Sequence, residues 1–162
     1  MKIWTRIRKL SIRQLWKFSI LFLKHPLLII PTIRATKRTF EICNDHFGNA
    51  HHKSNTANAF RHALWNVLIC KNTLKSTKNK QKSVFWAQKV SDLYENVTQN
   101  KPIEQAMDLH NNAVGRIYFL NLLDKEEQEI IAFTQDKMKS AKKVNDIVAM
   151  KQYQNEMVFL VE

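Results

Sequence analysis

Only Pro26, Pro31, Gly48, Pro102 and Gly115 interrupt a chain of 162 residues in which apolar side chains recur every three or four positions. Gly and Pro are the residues on which a chain turns. A chain this poor in them has to be built from long helices joined by short polar loops. Helical periods run over residues 26–45, 56–74, 82–97, 102–123 and 125–142, and a basic amphipathic segment precedes them. FGNAHHKSNT and STKNKQKS read as loops, Ser54 or Asn55 as the cap of the helix that follows, and Asp124 with Glu127 as a capping box. After Asn145 the pattern suits a helical turn or two and then an extended end. The expected fold is therefore all-α: a single-domain bundle of about six helices with a short extended C-terminal end. A domain of this length buries roughly two-thirds of the surface its unfolded chain exposes.

Charge divides the chain unevenly. Residues 1–42 hold ten Lys or Arg against Glu41 alone, whereas the remainder holds sixteen against thirteen acids. The expected organisation is a basic amphipathic arm over residues 1–33 and a helical domain over 34–162 that carries the polar motifs. In the arm Arg8, Lys9, Arg13, Lys17 and Lys24 alternate with Leu10, Leu15, Trp16, Ile20 and Leu23. That composition suits a helix lying in a membrane interface or covering a core. Its apolar runs stop at Lys24 and at Pro31, short of the ~20 residues a spanning helix needs, and no small-residue cleavage site follows. An anionic membrane surface is the partner this predicts. Nucleic acid is set aside, because stacking aromatics are not interleaved regularly with the charges. Cys43 and Cys70 have no metal-like spacing and read as small apolar residues in a reducing compartment, so the expected location is cytoplasmic and peripheral at the membrane.

Two helices carry residues that weaken helices. On DLHNNAVGR, Asp108, Asn111, Asn112 and Gly115 fall at i, i+3, i+4 and i+7, beside a stripe of Ile103, Met107, His110, Val114, Ile117 and Leu120 that the period assigns to the core. On NAFRHALWN, Asn58, Arg61, His62, Trp65 and Asn66 share one face. A merely solvated face would be Lys and Glu, whereas these side chains make directed hydrogen bonds. If both stripes point inward they meet, and each polar group needs a partner, since an unsatisfied buried one costs about 1–3 kcal/mol. Gly115 would admit a close backbone.

These residues resemble an uncharacterised, mostly bacterial domain family, members of which appear in secreted and toxin-like proteins. It is marked by N-A-x-R-H-x-x-W, a His-Glu pair and M-D-L-H-N-N-x-x-G-R. Asn58, Ala59, Arg61, His62 and Trp65 match the first motif; Met107, Asp108, Leu109, His110, Asn111, Asn112, Gly115 and Arg116 match the third. The resemblance covers about residues 45–120 and implies a shared site rather than a reaction. The chain departs from it at Tyr94-Glu95, where the family shows His-Glu. Glu95 also lies away from Val90 and Leu93, so it reaches a site only if its helix is packed on two sides.

The sequence thus predicts a hydrolase-like enzyme with His62, Asp108 and Glu95 as catalytic residues. Asn58, Arg61, Trp65, His110, Asn111, Asn112 and Arg116 are the expected substrate-binding residues, and the arm suggests a lipid or envelope substrate. The alternative is a non-catalytic helical module that binds a membrane surface or a protein partner, the polar residues forming a structural network. His51, His52, His62 and His110 are numerous enough for zinc, but no H-E-x-x-H or C-x-x-C spacing occurs, so no metal ligand is assigned. Cofactor and oligomeric state are unknown from sequence.

Overall fold

A computed structural model describes residues 12–98 and 101–161. Arg8, Lys9, Leu10 and Asn100, and the side chains of Arg13 and Leu15, lie outside the described residues. Helices α1 (Ile12–Leu23), α2 (Ile29–Phe47), α3 (Thr56–Thr77), α4 (Lys80–Thr98), α5 (Pro102–Asn121), α6 (Glu127–Lys139) and the one-turn α7 (Ile147–Met150) form an all-α bundle. Two-residue strands β1 (Lys142–Lys143) and β2 (Val158–Phe159) pair in parallel, which is the short extended end. A 3-10 turn at Pro26–Leu28 leads into α2, and this helix runs unbroken through position 33.

α3 is the axis of the bundle. From Ala57 to Cys70 every residue is buried, because α2, α4, α5 and α6 all pack around it. Asn55 caps it by accepting from Asn58 N. α2 ends at Gly48, whose φ of +54° lets its N–H return to Asn44 O. α3 and α5 approach backbone to backbone at Gly115: a Cβ there would lie 2.2 Å from Ala63 O.

Three expectations are corrected. STKNKQKS is mostly helical, with a break only at Lys78 and Asn79, because left-handed Lys78 (φ 50°) ends α3 and the Asn79 side chain accepts Lys82 N at 2.9 Å. The capping box is Glu126 with Glu129, not Asp124 with Glu127. Lys71 Nζ donates to Leu123 O and Lys125 O, which holds the loop open two residues longer. On α5 the polar stripe is the core stripe: Asp108, Asn111, Asn112 and Gly115 are buried beside Met107, Val114, Tyr118 and Phe119, while Ile117 and Leu120 are exposed. Period alone favoured the apolar residues; polar groups that satisfy one another escape the desolvation cost that would expel them.

Candidate functional site

Three helices bring the site together. α3 supplies Asn58, Arg61, His62 and Asn66, α4 supplies Ser91 and Glu95, and α5 supplies Asp108, Asn112 and Arg116. α4 is indeed packed on two sides, against α3 and α5, so Glu95 is 0% exposed, with His62 at 2% and Asp108 at 4%.

The hydrogen bonds run in one direction, set by the groups that can only donate or only accept. Arg116 Nη1 donates to Asn66 Oδ1 at 3.1 Å and to Ser91 Oγ at 3.2 Å. Asn66 Nδ2 donates to Asn112 Oδ1 at 2.7 Å and to His62 O at 3.2 Å. Asn112 Nδ2 donates to Glu95 Oε1 at 3.2 Å. On the other side, Arg61 Nη1 donates to His51 O and Nη2 to His62 Nε2, the latter at 2.6 Å. A guanidinium has only donors, so the shorter contact, to Arg61, assigns the lone pair to Nε2. The ring proton is then on Nδ1, 3.2 Å from Asn112 Oδ1 and 3.4 Å from Glu95 Oε1. A buried carboxylate and an amide therefore hold the tautomer, and Nε2 is left facing Arg61 and, at 3.3 Å, Asp108 Oδ1.

A cavity of about 370 Å³ reaches the surface at this point. It is lined by His52, Lys53, Ser54, Asn58, Arg61, Glu104, Asp108, Leu160 and Val161. Its far wall is the C-terminal tail, fixed there by Leu160 N and Val161 N donating to Ser54 O at 2.9 and 3.0 Å. Asn58 is 5% exposed, and among the described residues its Oδ1 has no hydrogen-bond partner. It is an acceptor on the wall of a cavity whose charged groups are Lys53, Arg61, Glu104 and Asp108.

His62, Glu95 and Asp108 offer ligand atoms within 4.8 Å of one another, a spread that suggests a metal cage. The bonding argues otherwise: Glu95 meets Nδ1 and Asp108 meets Nε2, on opposite sides of one ring, and an imidazole gives a metal a single lone pair.

The residues expected from sequence fall into three groups. Asn58, Arg61 and Asp108 reach the cavity, with His62 directly behind them, and Asn112 and Glu95 lie deeper. Asn111 and His110 turn instead to the tail. Asn111 exchanges two 2.9 Å bonds with the backbone N and O of Val158, and His110 Nε2 lies 2.9 Å from Glu156 O. Trp65 Nε1 donates to Thr36 Oγ1, and its ring packs edge-on against Tyr94. These three have their polar atoms committed to holding the fold. Arg116 is half-buried behind the network, where burial pulls its guanidinium pKa down and Asp92 pulls the other way. Lys53, Ser54, Glu104, Leu160 and Val161 had no signal in the sequence. His51 and His52 stood out as a pair before α3 and among the histidines weighed for zinc; His51 proves fully buried, with its Nε2 on Asn44 Oδ1, and His52 lines the cavity.

Burial raises the Cys43 and Cys70 thiols to about 12, against weaker lowering by Arg61 and Arg116 respectively. Both are free and sealed in the core, with no path to the cavity chemistry.

The profile of a domain family described as "Domain of unknown function (DUF6973)" matches residues 19–142. No curated protein and no solved structure matches the chain.

Proposed function

Since the chain belongs to this family of unknown function, its activity has to be read from the site, and we propose that it is a hydrolase-like enzyme using acid–base chemistry at His62. One observation carries the reading: His62 has one ring nitrogen held by Asn112 and Glu95, while the other meets Arg61 and Asp108, both of which line a cavity that reaches the surface. This is how a general base is oriented, with a buried carboxylate behind and a substrate space in front.

Arg61 is the control on the base. While its Nη2 donates to Nε2 the lone pair is occupied. An anionic substrate group drawn to Arg61, Lys53 and His52 would take that guanidinium and uncover Nε2. A water would then give its proton to Nε2 as its oxygen attacks the electrophilic centre. The bond to the leaving group breaks, and the imidazolium returns the proton to it. Asp108 stabilises the imidazolium across the 3.3 Å gap, and Asn58 Oδ1 accepts from the substrate. A phosphoryl or carboxyl group would pair with Arg61 and Lys53 on one side of the cavity, and a lipid or envelope molecule is the source that the basic arm favours.

A second reading draws on the burial of His62 and Glu95: a non-catalytic module that binds a membrane surface or a protein, its network purely structural. Turnover decides between them. Purified protein is assayed against chromogenic phosphoester, carboxylic ester, amide and glycoside panels, beside His62→Gln and Asp108→Asn. The enzyme reading expects turnover that falls by about 10²–10⁴ in His62→Gln, with the melting temperature within a few degrees of wild type. A wild-type protein inert on every panel supports the module, whereas activity retained in His62→Gln overturns His62 as the base.

A further inference from the structure

α1 and the start of α2 expose an apolar face that the body of the protein leaves open. Ile12, Trp16, Ile20 and Leu23 fall at i, i+4, i+8 and i+11 on α1, one stripe of a helix. Leu27 in the turn and Ile30 and Ile33 on α2 are also open to water, and all seven are between 40% and 87% exposed. α1 is nonetheless docked. Leu21 and Phe22 pack on the core, Phe22 lies 6.0 Å from the Trp86 ring, and His25 lies 5.1 Å from it. The helix thus buries one side against the bundle and presents the other. A cluster of large apolar side chains on a water-facing surface marks a contact site.

Its charges say what the contact is. Lys17 and Lys24, seven residues apart, border the α1 stripe, and Arg34 shares the face of Leu27 and Ile30; all three are exposed. No Asp or Glu occurs between positions 12 and 40, so nothing within the segment neutralises them. Lys37 is spoken for, paired with Glu41 at 3.7 Å. A second copy of the chain would set these cations against their like. Among the described residues no single helix is long and apolar enough to cross a membrane, and the two helices that have the length and composition only together meet at 107°.

We infer that this face docks on an anionic phospholipid surface, its apolar side chains sunk to the acyl boundary, Trp16 at the headgroup level, and Lys17, Lys24 and Arg34 reaching the phosphates. The inference stands apart from the acid–base reading and is tested without any activity. Full-length protein is floated with vesicles of pure phosphatidylcholine and of an equal mixture of phosphatidylcholine and phosphatidylglycerol. It binds the mixed vesicles and leaves the neutral ones, and added salt weakens the binding. Lys17→Gln, Lys24→Gln and Arg34→Gln each weaken it by about fivefold. Leu23→Glu with Leu27→Glu and Ile30→Glu abolishes it while the circular dichroism and melting curve stay those of wild type, since the three side chains are exposed. Brominated lipid quenches the wild-type fluorescence, and Trp16→Phe removes most of that quenching. Wild-type protein that stays off anionic vesicles at low salt overturns the inference. So does a triple Glu variant that floats like wild type, or a stable dimer that excludes vesicles and that the triple variant dissolves.

Discussion

Gly115→Ala puts one methyl group where α3 and α5 touch. The added Cβ would lie 2.2 Å from Ala63 O and 2.8 Å from Ala63 C and Cα, whereas ordinary contact begins at 3.4 Å. The opposing atoms are backbone, so no rotamer change relieves the clash; the helices have to part by about 1.2 Å. Asn112 rides on α5 one turn away. The same displacement would stretch its 2.7 Å bond from Asn66 to nearly 4 Å, beyond hydrogen-bond range. Alanine in place of glycine gains about 1 kcal/mol of helix propensity. Against that stand about 1–3 kcal/mol for overpacking and about 1–3 kcal/mol for buried polar groups losing partners. The net expectation is a loss of roughly 1–5 kcal/mol, which lowers the melting temperature of a domain this size by roughly 2–20 °C. Urea and thermal denaturation followed by circular dichroism measure it. A variant that melts at or above wild type would refute the close approach and the dependence of the network on it.

Further outcomes follow from the same contacts. Asn111→Ala removes both bonds to Val158 and strands a buried N–H and C=O at a cost of about 2–4 kcal/mol; amide exchange at Val158 and Leu160 should accelerate far more than in α3, and unchanged protection there would refute the clamp. The thiols of Cys43 and Cys70, pushed up to about 12 by burial, should resist alkylation in the folded protein at mildly alkaline pH and react once urea unfolds it. Tyr118, raised to about 12 chiefly by burial, joins them in a pH effect of defined sign. The unfolded chain gives up these protons from about pH 9 upward while the folded chain keeps them, so stability must fall as pH rises through that window. A urea midpoint that rises between about pH 8 and about pH 10 contradicts this assignment.

The helices were legible because so few residues could end them, and the motif helices met as their polar stripes required. What the period misjudged was which stripe of α5 goes inside. Apolar spacing assigned Ile117 and Leu120 to the core, yet both are exposed, because the Asn and Asp beside them find partners on α3 and α4 that no single-helix pattern can display. Glu95 illustrates the same limit: its burial depends on α4 being sandwiched between two helices, a tertiary fact. The roles of Asn111 and His110 were hidden for a related reason. Their partners are backbone atoms of a tail more than forty residues away, and backbone atoms leave no trace in a sequence. The cavity wall at Leu160 and Val161 is set by those same tail contacts.

The protonation of His62 is the point on which the functional reading turns. Nitrogen-15 spectra of imidazole-labelled full-length protein, assigned through His62→Gln, report which ring nitrogen carries the proton. The geometry predicts the Nδ1–H tautomer near neutral pH, with Nε2 unprotonated and accepting from Arg61. An Nε2–H tautomer would mean that Arg61 does not donate to the ring and that the nitrogen nearest the cavity has no lone pair to offer, which contradicts a base at His62.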